Sequence, residues 1–178
     1  MRFTIRFNLA CCHDNANRIG EATELFKQLV REEPSYTDAY MRLAYLARKR
    51  GDMKRAIDYI EQAKSKHSKE ANHSLPTKLY CMKGRLLTEM GNPAEAFAEY
   101  SKALDLSGKR DSYARVGIAN IQYASSVLQR HSINKQEESL RQAMKQYFTI
   151  LETDENNCAG VLGIGNVLTE YGKTDEAK

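Results

Sequence analysis

The chain has 178 residues, 42% of them hydrophobic and 28% charged, with a formal net charge of +4. That composition excludes a disordered segment as the default reading, and no apolar run approaches the roughly 18 residues needed to span a bilayer. The opening MRFTIRFNLACC breaks its apolar stretch at Arg6 and Asn8, unlike a secretory signal, so a soluble chain inside the cell is expected. The small basic excess reads as solvated surface and not as a nucleic-acid footprint.

In chain order, the first predicted helix hairpin covers 3–36. Its first helix carries Leu9-Ala10, its second carries Ala22, Phe26 and Leu29 on one face, and Glu33-Pro34-Ser35-Tyr36 closes the unit. The second hairpin, 37–70, repeats the pattern with Leu43-Ala44, then Ala56, Ile60 and Ala63, around the turn Arg50-Gly51-Asp52. Ala10 to Ala44 and Ala22 to Ala56 are both 34 residues apart, the period of the tetratricopeptide (TPR) helix-turn-helix unit. Small residues at these places have a physical reason. Two antiparallel helices approach closely only where the facing side chains are small, so the paired alanines are expected to form the hairpin seams.

After a short insert at 71–76, the third hairpin covers 77–109, with Lys83-Gly84 on its first helix and Ala96, Tyr100 and Ala103 on its second. Its turn, Met90-Gly91-Asn92-Pro93, places Gly91 at a helix end, Asn92 as an expected cap, Pro93 at the first helical position and Glu95 at the third. In the fourth unit, 110–157, the seam is assigned to Gly117 (in Val116-Gly117) and Ala143, 26 residues apart where the regular units have 12. About 14 residues are therefore inserted. Helical periodicity persists from Tyr113 to Leu128 and from Gln136 to Leu151, so both helices are read as lengthened, with a turn over Arg130-His131-Ser132-Ile133-Asn134-Lys135. The protrusion has two readings, a tolerated surface insertion and a docking arm. A fifth unit, 158–178, carries Ile164-Gly165, the turn Tyr171-Gly172-Lys173 and Ala177. It stops at Thr174–Lys178, as a second helix begins, and is read as incomplete.

The fold expected from residues 1–178 is all-α: a right-handed superhelical array of about five TPR hairpins, the fourth lengthened and the last incomplete. Cys11, Cys12, Cys81 and Cys158 form no CxxC pair and are read as small buried thiols. They and the scattered His13, His67, His73 and His131 imply no metal site. No cofactor is implied either. Gly163-Ile164-Gly165 lies inside a helix and not after a strand, so its glycines read as packing residues. Neither Glu137 and Glu138 nor Asp154 and Glu155 has a base or nucleophile partnered in the pattern, so no enzyme is expected.

The first helix of each hairpin is expected to line the inner wall of the array, where partner segments bind. The candidate contacts are Phe7, Met41, Arg42, Tyr45, Arg48, Lys49, Lys78, Arg85 and Ile118, with Cys11, Cys81 and Leu162 adding apolar surface. The mixture suits an amphipathic or acidic partner segment, and about half of the apolar groups are expected to pack between hairpins instead. A clamp for a terminal carboxylate is not present: its positions hold Phe7, Cys11, Arg42, Lys78 and Met82. An asparagine ladder is missing too, since Asn8 is followed by Arg42, Met82, Arg115 and Gly163.

Laid out in this way, the chain resembles the TPR scaffold subunits of the PAF complex, which accompanies RNA polymerase II in transcription elongation. The resemblance is carried by Arg6-Phe7-Asn8-Leu9-Ala10, by GEATELFKQLVREEPSYTDAYMRLAYLARKRGD over 20–52, by ILETDENNCAGVLGIGNVLTEYGKTDEA over 150–177, and by the irregular fourth spacing. Residues 64–76 and 128–140 depart from it. The resemblance implies a nuclear, non-catalytic platform whose partners are other PAF-complex subunits and the elongation machinery, linked to histone modification, with no membrane or direct nucleic-acid contact. Two other readings remain: an RNA-processing helical-repeat protein, and the TPR region of a larger enzyme.

Overall fold

The computed structural model describes residues 3–69, 77–129 and 131–172. The insert at 71–76, Arg130, and the segment holding Lys173, Ala177 and the last unit's second helix lie outside the described residues. Every described element is an α-helix, in the order α1 (Phe3–Asn15), α2 (Ile19–Glu32), α3 (Thr37–Lys49), α4 (Met53–Lys69), α5 (Thr77–Glu89), α6 (Pro93–Leu106), α7 (Ser112–Leu128), α8 (Ile133–Thr153) and α9 (Cys158–Glu170). The chain divides into two compact units, Met1–Leu86 and Leu87–Lys178.

In the first unit α1 packs on α2, α2 on α3, and α3 on α4. One core cluster joins Ala10 and Ala22 to Phe26, Leu29, Ala39, Leu43 and Leu46. The next joins Ala44 and Ala56 to Tyr40, Ile60, Ala63, Leu79 and Leu86. The alanine seams are therefore real contacts, with Ala10, Ala22, Ala44 and Ala56 all fully buried.

The hairpin turns share one chemistry. Asn17, Gly51 and Gly91 adopt φ of 57°, 80° and 79°, and the amide of the next residue returns to the carbonyl five positions back. The bonds are Arg18 to His13 at 2.8 Å, Asp52 to Ala47 at 2.9 Å and Asn92 to Leu87 at 2.9 Å. This closure satisfies a carbonyl that the helix end leaves open, and glycine, followed by asparagine, adopts the left-handed conformation most readily. Pro93 opens α6 as expected, but Asn92 makes no side-chain capping bond. Asp111 and Asn157 do cap, accepting from the amides of Ala114 at 2.9 Å and Gly160 at 3.1 Å.

In the second unit α6 packs on α7, α7 on α8, and α8 and α7 on α9. The fourth hairpin is long, as its periodicity indicated, with 17 residues in α7 and 21 in α8. Its turn is shorter than expected, because α8 starts directly after Ser132, with Ile133, Asn134 and Lys135 already helical. The seam assignment also needs correction. Ala119, fully buried, shares a core cluster with Ala143, Leu140, Tyr147, Ile150 and Val167. It stands 24 residues before Ala143, so the insertion amounts to 12 residues. Gly117 faces the other way, towards the Tyr100 ring of α6, and Gly163 meets the Tyr147 ring of α8 in the same manner.

Candidate functional site

Three first helices, α1, α3 and the start of α5, converge on one open concavity in the first unit. It measures about 450 Å³ and is lined by Phe7, Asp38, Met41, Arg42, Tyr45 and Met82. Helical spacing explains the α3 wall, because Asp38, Met41, Arg42 and Tyr45 follow the three- and four-residue steps of one face. Phe7 anchors the α1 wall. Its ring centroid lies 5.5 Å from those of both Phe26 and Tyr36, an aromatic group that fixes it in place. Burial, with the Asp38 carboxylate as a further cause, pushes the Tyr36 phenol above its ordinary pKa.

Two of the expected cations are already engaged. Lys78 of α5 forms an ion pair with Asp38 of α3, and Lys49 of α3 meets Asp14 of α1 at 3.4 Å. Asp14 is 7% exposed, so the Lys49 pair ties the C-terminal ends of two first helices together. Arg42 is exposed on the concavity and makes no hydrogen bond or ion pair among the described residues. Arg48 is half-buried and Arg85 exposed; neither lines the concavity.

Away from that wall, Arg6 forms a two-bonded pair with Glu32, and this hydrogen bonding holds the Glu32 carboxyl below its usual range. Burial pushes Glu61 up, but the ammonium groups of Lys83, at 2.9 Å, and Lys64 outweigh it and leave the carboxyl lowered. The Arg6–Glu32 and Lys83–Glu61 bridges join second helices to first helices and belong to the packing.

The structure therefore brings Phe7, Met41, Arg42 and Tyr45 together and adds Asp38 and Met82. Asp38 was legible in principle, one helical turn before Met41 and Arg42. Ile118 is not a groove contact: it is 4% exposed and sits in the second unit. Cys81 is buried at 5% exposure and adds no open groove surface, whereas Leu162 is 68% exposed. The reading of four buried thiols fails as well, since Cys12 and Cys158 are exposed and Cys11 is half-buried against the first core cluster.

The lengthened hairpin is held by polar rungs between α7 and α8. Arg115 donates to Gln146 at 2.9 Å, Gln122 to Gln142 at 3.3 Å, and Ser139 to Gln129 at 3.1 Å. Nearer the core the Tyr147 hydroxyl donates to Asn120 at 2.7 Å. Burial, and secondarily the nearby Tyr123, pushes the Tyr147 phenol up to about 12. The turn end exposes Leu128 and Ile133, at 81% and 68%.

Two-helix hairpins with small-residue seams, glycine or asparagine turns and a wall of first helices define a TPR helical-hairpin fold. A solved TPR protein, YrrB, described as having an unusual peptide-binding site, superposes with a TM-score of 0.63 at 18% identity, over 97% of this chain and 79% of its own. The chain belongs to the family described as the TT21 fifth ARM repeats domain, whose model matches residues 13–120. Among curated relatives, the protein CTR9 homolog of Arabidopsis thaliana is 27% identical over 178 residues, 99% of this chain and 16% of the relative. The RNA polymerase-associated protein CTR9 of Caenorhabditis elegans is 24% identical over 177 residues, 98% of this chain and 15% of the relative. The chain thus spans less than a fifth of the length of these relatives.

Proposed function

We propose that the chain is a non-catalytic protein-interaction scaffold of the PAF complex, acting in the nucleus in RNA polymerase II transcription elongation and co-transcriptional histone modification. The observation that carries this reading is the similarity to two CTR9 proteins along 99% and 98% of the chain. A partly apolar concavity on a wall of first helices is what such a role requires. In this reading residues 1–178 form one array, with units 3–36, 37–70, 77–109, 110–157 and 158–178. Its partners are other PAF-complex subunits and the elongation machinery, reached without direct nucleic-acid binding.

The test is capture of the full-length parent from nuclear extract, with mass spectrometry of its companions and a nuclease-treated sample in parallel. Recovery of the other PAF-complex subunits and polymerase from both samples is expected. Recovery of chaperones alone, or of companions that vanish with nuclease, overturns the reading; the second result favours an RNA-processing repeat protein.

A further inference from the structure

We infer that the concavity bounded by Phe7, Met41, Tyr45 and Met82 receives an internal acidic segment of a protein partner, whose apolar side chains enter between the methionines while a carboxylate meets Arg42. The inference rests on the scaffold reading above and supplies the chemistry of its contact.

Charge decides the sign of the partner. Helices α1 and α3, with α5 as far as Leu86, carry seven Arg and Lys residues and two carboxylates of their own, Asp14 and Asp38; Arg6 and Lys83 pair with Glu32 and Glu61 of the second helices, which leaves the wall a smaller positive excess that includes the exposed Arg42. Asp14 and Asp38 are spent, one on Lys49 and one on Lys78. A cationic segment would find no uncommitted acid on this wall and would face its net positive field, whereas an acidic one meets an exposed guanidinium directly. Arginine suits that task because its planar fork binds a carboxylate through two parallel bonds.

Shape and surface chemistry decide the rest. Met41 and Met82 are half-buried on facing first helices, and Phe7 is immobilised by Phe26 and Tyr36. Thioether side chains repack around different apolar groups, so the cavity offers a deformable apolar seat beside a fixed charge. The segment is internal because nothing here captures a chain end. Three of the five positions of a terminal-carboxylate clamp hold Phe7, Cys11 and Met82, a fourth, Lys78, is bound to Asp38, and Arg42 alone, without a second cation beside it, does not make a clamp. RNA is the weaker fit, since phosphates need several free cations along one stripe and this seat is apolar.

The experiment uses the 178-residue chain and fluorescence anisotropy with a fluorescein-labelled twelve-residue peptide of alternating Glu and Leu or Phe, blocked at both ends. Controls are its Gln-for-Glu twin and a labelled uridine oligonucleotide. The acidic peptide is expected to bind about tenfold more tightly than the twin, and Arg42→Glu to abolish that advantage without weakening the twin. Arg42 is exposed, so circular dichroism of the variant should match the parent. Equal binding of acidic peptide and twin, an unchanged affinity in Arg42→Glu, or displacement of the peptide by the oligonucleotide overturns the inference. The nuclear-extract capture keeps the two failures apart. If the parent recovers PAF-complex companions while no acidic preference is seen, the scaffold stands and the groove chemistry falls; if it recovers none, the scaffold itself falls.

Discussion

Replacing Gly117 with alanine tests the inter-helix packing most directly, because two effects of known sign oppose one another there. In an isolated helix the change stabilises by up to about 1 kcal/mol, since alanine loses less conformational freedom. At this site the new Cβ would stand 2.5 to 2.7 Å from three atoms of the Tyr100 ring, nearly 1 Å inside ordinary contact. Tyr100 is 4% exposed and has no room to swing outward. Nor can α7 retreat from α6, because Ala119 on the same helix is already fully buried in the cluster that contains Ala143. Overpacking of this kind costs about 1–3 kcal/mol, so after the opposing helix gain a net loss of up to about 2 kcal/mol is expected. Gly20→Ala is the matched control: nothing lies within 4 Å of its Cβ, and a gain of about 0.5 kcal/mol is expected. Urea midpoints followed by far-ultraviolet circular dichroism compare the two at constant m. Truncating the ring, in Gly117→Ala with Tyr100→Leu, should recover part of the loss as a positive coupling. If Gly117→Ala proves as stabilising as Gly20→Ala, the close approach of α7 to α6 is wrong.

Two further outcomes follow from other contacts. Tyr147, pushed up to about 12, holds its proton more firmly folded than unfolded, where the ordinary value is about 10. Its contribution is whole below pH 10 and is lost as pH rises towards 12, by roughly 2–3 kcal/mol in all. Tyr147→Phe should therefore lose less stability than the parent between pH 9 and pH 11, while costing about 1 kcal/mol at pH 7 through the lost bond to Asn120; equal losses at high pH would refute the assignment. Gly51→Ala places a side chain at φ 80° and is expected to destabilise by about 1–2 kcal/mol, with Gly51→Asn costing less, as Asn17 occupies the equivalent turn; equal thermal midpoints for parent and Gly51→Ala would contradict this.

The positions of the helices were legible because one residue pattern carries both the turn and the seam. Ala10, Ala44, Ala22 and Ala56 repeat in phase, and Gly51 and Gly91 mark helix ends in a left-handed conformation that glycine adopts most readily. The fourth unit shows where that signal fails. A small residue on a first helix has two possible partners, the second helix of its own hairpin or that of the hairpin before. Val116-Gly117 and Ile118-Ala119 look alike in sequence, and only the buried Ala119–Ala143 cluster and the Tyr100 ring over Gly117 separate them. Choosing the wrong pair moved the register by two residues and made Ile118, a buried side chain, look like a groove contact.

The binding wall is harder to read for a different reason. Packing residues answer to neighbours at fixed helical spacings, while the wall's charges answer to partners 35 and 40 positions away, Asp14 for Lys49 and Asp38 for Lys78. Counting cations along the first helices therefore overstates what a partner meets, since at least two of the five nominated ones, Lys49 and Lys78, are neutralised within the fold. What remains is local and specific. Arg42 lies beside Met41 and Met82 because α3 and α5 present the same face, one repeat apart, and the ion pair of Asp38 with Lys78 joins those two helices at the edge of the seat. The pair that removes a cation from recognition also helps fix the geometry in which the exposed one acts. A substitution at Asp38 should on this argument have two opposed consequences, releasing Lys78 towards an acidic partner while loosening the wall that positions Arg42.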